Sequence, residues 1–239
     1  MEDYIFTEVK LMLSELISGG ADLTSVIVYI FSSLAVIFLT MPVHEFAHGF
    51  AATKLGDNTP RWQGRLTLNP FAHIDWIGAA CILLFGFGWA KPVEVNARSF
   101  RNPKGGMALV AFAGPLSNLI VAFVSLLFLN AISLITPTNE TTYTILLYIL
   151  SFFYFIAMIN ISLAVFNLIP IPPLDGSRIL NAVLPDRIYY KIMQYERFIY
   201  FGLLALLYVG ILDGPLSFMS DAVFDFVARL ADLPFIFFR

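Results

Sequence analysis

The sequence predicts an all-α polytopic membrane protein: a bundle of transmembrane helices with a re-entrant segment and a small strand-like hairpin near its functional site. Three observations lead to this prediction. Of the 239 residues, 59% are hydrophobic and 13% are charged, whereas soluble domains carry about 25% charged residues. Several apolar stretches approach the length of about 20 residues that a helix needs to cross a bilayer. The basic residues cluster in the loops between these stretches, as expected for cytoplasmic loops.

The apolar stretches define the order of the predicted elements. Four of them are long enough, or nearly so, to span a bilayer: residues 23–55, 106–135, 143–169 and 198–212. A fifth stretch, residues 74–89, is shorter and contains three glycines, which suits a short or bent segment. We therefore expect the whole chain, residues 1–239, to form a single membrane-embedded domain.

The two ends of the chain are predicted to lie at the membrane surface. Residues 1–20 place their apolar side chains on one helical face, so we expect an interfacial helix there. Residues 213–239 mix aromatic and acidic side chains, which is typical of a surface amphipathic tail.

The distribution of Lys and Arg predicts the topology. If every stretch crosses the membrane, the two sides hold nine and five basic residues. If residues 74–89 enter the membrane and return to the same side, the split becomes eleven against three, which fits the positive-inside tendency better. We therefore expect a multi-pass protein of the cell membrane, with its N-terminus outside and its three basic loops in the cytoplasm.

The flanks of the short stretch are predicted to be extended. Residues 63–69 and 90–96 alternate polar and apolar side chains, which is typical of half-exposed strands. The two segments could pair at the mouth of the re-entrant piece. Because irregular backbone at membrane depth must be buried in protein or line a wet cavity, this arrangement implies a cavity.

A metal-binding pattern, His44-Glu45-Phe46-Ala47-His48, lies within the first apolar stretch. On a helix, His44 and His48 lie on the same face, so both imidazoles can bind one metal ion. Glu45 lies beside them and could take a proton from a metal-bound water. Burying an unpaired glutamate in hydrocarbon costs several kcal/mol, roughly, which favours a functional role over an incidental one.

A catalytic zinc ion needs a third protein ligand, and the candidates are His73 and Asp175. In the re-entrant topology, the stretch of residues 143–169 runs in the same direction as the first stretch. Asp175 then reaches the same cytoplasmic half of the membrane as His44 and His48. The alternative for Asp175 is a helix cap, and His73 is expected to pack or to form hydrogen bonds.

Two further features accompany Asp175. Pro170, Pro172 and Pro173 cannot continue a regular helix, so the chain must unwind just before the carboxylate. Asn167 could donate a hydrogen bond to the oxyanion of a tetrahedral intermediate. An interhelical hydrogen bond is the alternative for this amide.

Taken together, the motifs resemble the site-2 protease family of intramembrane zinc metalloproteases, in its compact bacterial and archaeal form without a PDZ or CBS domain. The resemblance rests on five segments: residues 44–48, 64–70, 86–93, Ala113-Gly114-Pro115-Leu116-Ser117-Asn118, and 167–176. It implies a catalytic core over residues 41–184.

This resemblance implies one zinc ion (Zn²⁺) bound by His44, His48 and Asp175, with Glu45 as the catalytic base. It also implies cleavage of membrane-spanning protein substrates within or near the bilayer. In the family, the residue that matches Asn167 is thought to hold substrate or to stabilise the transition state.

Two other functions fit parts of the pattern. A metal-ion transporter also places His and Asp within the membrane, but it would be expected to carry more than one such cluster. A proteolytically inactive scaffold of the same fold would not need an intact base and ligand set. No basic stripe of the kind that binds nucleic acid is present, and the oligomeric state is left open.

Overall fold

The computed structural model describes residues 23–85 and 89–236. The predicted interfacial helix of residues 1–20 lies outside these residues. The regular secondary structure of the described residues is entirely helical, without a β-strand. The α-helices, in chain order, are α1 (Leu23–Ala35), α2 (Met41–Lys54), α3 (Thr59–Trp62), α4 (Trp76–Phe85), α5 (Pro103–Ser133), α6 (Glu140–Leu168), α7 (Asp175–Asn181), α8 (Asp186–Met193), α9 (Glu196–Val209) and α10 (Asp213–Asp232).

Shorter helical turns connect some of these elements. A π-helical turn, Val36–Thr40, joins α1 to α2 without a break, so the two helices form one rod. The 3₁₀ turns are Pro70–Ala72, Ala97–Ser99 and Leu233–Phe235.

Three helical segments of the described residues are long and apolar enough to cross a membrane: Val26–Lys54, Pro103–Ser133 and Glu140–Leu168. The prediction of a multi-pass helical membrane protein is thereby confirmed. The predicted span at residues 198–212 corresponds to α9, which has 14 residues. At 1.5 Å per residue this helix is about 21 Å long. It ends at Gly210, whose φ of 78° lies in the left-handed region that favours glycine.

The core of the bundle lies between α5 and α6. Each of these helices begins at an asparagine whose side-chain oxygen accepts a backbone N–H, Asn102 for α5 and Asn139 for α6. The short connection between them makes the two helices antiparallel neighbours. Buried side chains from both pack against each other and against Val227 and Ala231 of α10. At its end, α10 is also joined to α5, where the Asn130 amide donates to Asp232 over 2.8 Å.

The two segments predicted to pair as strands are irregular in the described structure. Their backbone amides are used by buried carboxylates instead of by a neighbouring strand. The Val93 N–H donates to Glu45 over 2.9 Å, and the Asn96 N–H donates to Asp57 over 2.7 Å. The segments meet through side chains, since the Gln63 amide donates to Glu94 over 2.6 Å. No strand pair is therefore observed between residues 63–69 and 90–96.

Candidate metal centre

The two histidines of the metal-binding pattern lie one turn apart on α2, within the rod that begins at α1. Their imidazole Nε2 atoms are 3.0 Å apart and the ring centroids 4.6 Å apart. His48 is 8% exposed, and His44 is half-buried. The helical spacing thus brings both nitrogens to one point, as the sequence predicts.

Asp175 reaches this point from the start of α7. Its Oδ2 atom lies 3.4 Å from His44 Nε2 and 3.3 Å from His48 Nε2. Leu174, and not Asp175, takes the N-cap position of α7, so the carboxylate is directed at the imidazoles. The chain turns sharply between α6 and α7, and a Cβ on Gly176 would overlap the carbonyl oxygen of Leu168. Glycine is therefore required for this close return of the backbone.

The geometry of these three atoms fits a tetrahedral zinc ion. Zinc bonds of 2.0–2.1 Å place the ligand atoms of a tetrahedron about 3.3 Å apart, close to the three separations observed here. All three atoms lie within 4.8 Å of one another. Burial disfavours the charged form of Asp175, but the adjacent imidazoles of His48 and His44 outweigh this effect and hold the pKa of its carboxyl below the ordinary value. His44, His48 and Asp175 can therefore hold a metal ion.

The other ring nitrogen of each histidine is held by α5. His48 Nδ1 lies 2.7 Å from the carbonyl oxygen of Val110, and His44 Nδ1 lies 3.3 Å from Oδ1 of Asn118. Metal-binding histidines usually donate their second ring N–H to such an acceptor. Neither Val110 nor Asn118 is singled out individually by the sequence, although Asn118 ends one of the family-like motifs.

Glu45 lies beside the histidines and is 7% exposed. Its carboxylate accepts the Val93 N–H over 2.9 Å. The sequence does not predict this contact, because the donor is a backbone amide and every residue except proline has one. The bond holds residues 89–96 against Glu45.

A cavity of about 360 Å³ connects these groups. Its wall includes Glu45, Asn118 and Asn167, together with apolar side chains from α9 such as Leu203 and Leu207. The Asn167 amide donates to the Leu163 carbonyl of its own helix over 3.0 Å, which leaves its second N–H for another acceptor. The cavity that the sequence implies is thus present beside the metal-binding residues.

His73 is not a member of this cluster. It is fully buried, and its Nε2 donates to the carbonyl oxygen of Thr67 over 2.8 Å. Its own carbonyl oxygen accepts the Lys91 N–H, also over 2.8 Å. His73 therefore joins the start and the end of the segment that contains α4.

Sequence comparisons with known proteins place the chain among metalloproteases. The sequence profile of peptidase family M50 matches residues 32–210. YwhC of Bacillus subtilis strain 168, which is named as a zinc metalloprotease, is 37% identical over 194 residues, covering 81% of this chain and 88% of that protein.

Two proteins of Methanocaldococcus jannaschii that are also named as zinc metalloproteases are similar. MJ0611 is 32% identical over 164 residues, which cover 66% of this chain and 72% of that protein. MJ0392 is 27% identical over 151 residues, which cover 63% of this chain and 34% of that protein. No solved structure shows a significant match.

Proposed function

The chain belongs to peptidase family M50, and on this premise we propose that it is an intramembrane metalloprotease that hydrolyses peptide bonds of membrane-spanning proteins. Membership of the family and its zinc metalloprotease relatives make the chain a metalloprotease with zinc as its metal. The observation that carries the proposal is the convergence of His44, His48, Asp175 and Glu45 on one cavity within a bundle of membrane-capable helices.

In the proposed mechanism, His44, His48 and Asp175 would hold the zinc ion. When bound, the ion would act as a Lewis acid, lowering the pKa of water to about 7 and polarising the substrate carbonyl. Glu45 takes the proton of the attacking water and returns it to the leaving amine. The Val93 N–H holds the Glu45 carboxylate in one orientation, so that the base need not reorganise during the reaction.

Asn167 is proposed to stabilise the oxyanion that forms at the substrate carbonyl. Its amide lies in the cavity wall. One of its two N–H groups donates to the Leu163 carbonyl, and the other is left for the oxyanion. Side-chain amides that donate to such an oxyanion contribute about 3–4 kcal/mol in other hydrolases.

A transmembrane helix hides its peptide bonds, so the substrate must unwind before it can be cleaved. We propose that the unwound segment lies along residues 89–96 and pairs with their backbone, as in strand addition. Five residues of this segment line the cavity: Trp89, Ala90, Pro92, Val93 and Val95. The Val93 amide is occupied by Glu45, so pairing would use the neighbouring backbone groups.

The proposed membrane placement has residues 74–89 re-entrant, the N-terminus outside, and the metal centre in the cytoplasmic half. The Lys91 N–H donates to the His73 carbonyl, so the chain leaves this segment next to where it enters, which supports re-entry. All three tryptophans of the chain lie between residues 62 and 89, and they are 79%, 68% and 39% exposed. Exposed tryptophan beside Lys and Arg is typical of the membrane–water interface.

A metal-ion transporter is less well supported. Transport requires a series of sites across the membrane, whereas the described residues contain a single His/Asp group of this kind. An inactive scaffold would not need Glu45 to be held beside the metal-binding residues.

The experiment that tests the proposal compares wild-type protein with Glu45→Gln in liposomes that contain a model transmembrane substrate. We expect one zinc ion per chain in both proteins and a loss of cleavage of about a hundredfold or more in the variant. Equal cleavage by both proteins would remove Glu45 from the mechanism. Zinc flux without cleavage by the wild type would favour the transporter.

A further inference from the structure

One face of α5 lies against the metal-binding face of α2. Val110, Gly114 and Asn118 follow one another at four-residue spacing on α5, so they lie on a single stripe. His44 and His48 have the same spacing on α2. His48 contacts Val110 and His44 contacts Asn118, which shows that the two stripes run antiparallel and in register.

Gly114 is the point at which the two helices come closest to the metal-binding atoms. A Cβ at this position would overlap Nε2 of His48 and would lie 2.6 Å from Cε1 of His44. Both imidazoles therefore pack directly against the backbone of α5 at Gly114. Any side chain at position 114 would displace the rings from the point at which they meet Asp175.

On either side of Gly114, α5 provides one hydrogen-bond acceptor for each histidine. The Val110 carbonyl can only accept, so Nδ1 of His48 must carry a proton, and in the neutral imidazole Nε2 then has a free lone pair. The Asn118 side-chain oxygen does the same for His44. A neutral histidine can bind a metal only through its unprotonated nitrogen.

We propose that Asn118 is a positioning residue of the metal centre, whose side-chain oxygen fixes the tautomer and the ring orientation of His44. The inference rests on the proposed ligand set. Asn118 is 1% exposed and reaches the cavity wall beside His44. Without the Asn118 oxygen, Nδ1 of His44 has no acceptor among the described residues. The ring can then rotate, or it can carry its proton on Nε2, the nitrogen needed for the metal. The motif Ala113–Asn118 thereby acquires a role: Gly114 makes room for the rings, and Asn118 orients one of them.

The test measures zinc affinity in detergent-solubilised protein by competition with a chelator. Losses of such outer partners typically weaken metal binding about 10- to 100-fold, and we expect a loss of this size in Asn118→Ala. Asn118→Asp keeps an acceptor at the same place and is expected to bind zinc within about threefold of wild type. The matched control is Asn130→Ala. This variant removes another buried amide of α5, which lies about three helical turns from Asn118 and donates to Asp232. It should leave zinc affinity unchanged.

Unchanged zinc affinity in a folded Asn118→Ala protein would overturn the inference. So would a folded Asn118→Asp protein that loses zinc as Asn118→Ala does, because the acceptor would then be irrelevant. An equal loss in Asn130→Ala would reduce the effect to general stability and would also overturn it. These readouts do not involve cleavage, so a wild type that binds zinc but cleaves nothing would refute the proposed function without touching this inference.

Discussion

Glu45 and Val93, although 48 residues apart in the chain, are joined by a 2.9 Å hydrogen bond from the Val93 backbone N–H to the Glu45 carboxylate. The bond links the proposed base to residues 89–96, along which a substrate is proposed to lie. A hydrogen bond to a charged group typically contributes about 1.5–3 kcal/mol. The position of the segment and that of the base are therefore set together.

Replacement of Val93 by proline removes this N–H, and we expect kcat to fall. The loss of about 1.5–3 kcal/mol corresponds to about a tenfold to hundredfold lower rate. Val93→Ala removes the side chain but keeps the amide, and is expected to retain most of the rate. Both variants should bind zinc normally, as measured by metal content per chain. Equal kcat for Val93→Pro and Val93→Ala would show that the hydrogen bond does not orient the base.

Val95 tests the proposed pairing with substrate. Its side chain lines the cavity, and Val95→Pro removes an amide that could bond the unwound substrate. We expect KM for a transmembrane substrate to rise by about tenfold, the equivalent of one lost hydrogen bond, with kcat little changed. Val95→Ala keeps the amide and serves as the control. A KM that is the same for Val95→Pro and Val95→Ala would exclude pairing at this position.

Gly114→Ala is expected to weaken zinc binding at least tenfold, roughly, because the methyl group displaces both imidazoles. Gly202→Ala is the matched control: it is also a glycine within a helix, and a Cβ there meets no atom within 4 Å. Alanine is the better helix former by about 1 kcal/mol, so the control should be neutral or slightly stabilising. Chelator competition measures both. Normal zinc affinity in Gly114→Ala would contradict the close packing of α2 on α5.

Asn167→Ala is expected to lower kcat by about a hundredfold while zinc remains bound, because the proposed oxyanion donor is lost. Asn167→Asp keeps the size of the side chain but has no N–H at neutral pH, and it should lose as much rate as Asn167→Ala. Single-turnover cleavage of a transmembrane substrate measures the effect. Full activity in Asn167→Asp would show that Asn167 does not donate to the oxyanion, and its role would be limited to the hydrogen bond with Leu163.

The proposed orientation can be tested with single cysteines in a Cys81→Ser background. Thr138 lies in the exposed connection between α5 and α6, and Arg101 lies in the exposed connection before α5. A membrane-impermeant maleimide should label Thr138→Cys in intact cells, but should label Arg101→Cys only after the membrane is permeabilised. The opposite pattern would invert the topology and place the metal centre in the outer half of the membrane.

The sequence predicts that His44, His48 and Asp175 come together, because their geometry is local or is constrained by topology. Helical spacing alone places His44 beside His48, and the parallel direction of two spans brings Asp175 to the same depth. The long spans follow from hydrophobicity, which depends on residue type and length. All of these signals are carried by side chains.

The contacts that the sequence does not predict depend on backbone groups. Alternation in residues 90–96 indicates a strand, yet the amides of Val93 and Asn96 bond to the carboxylates of Glu45 and Asp57. Pattern alone cannot tell which acceptor an amide will find. The hydrogen bond between His48 and the Val110 carbonyl cannot be predicted for the same reason.

The three side chains of the proposed metal site belong to helices that are made at different times, since Asp175 follows His48 by more than a hundred residues. During synthesis, α2 enters the membrane with two ligand nitrogens and a carboxylate beside them, but the third ligand does not yet exist. The chain must insert α5 and α6 before Asp175 can reach the histidines. A nascent or truncated chain therefore lacks the third member of the proposed ligand set, and we expect protease activity only after Asp175 has emerged from the ribosome and reached the two histidines.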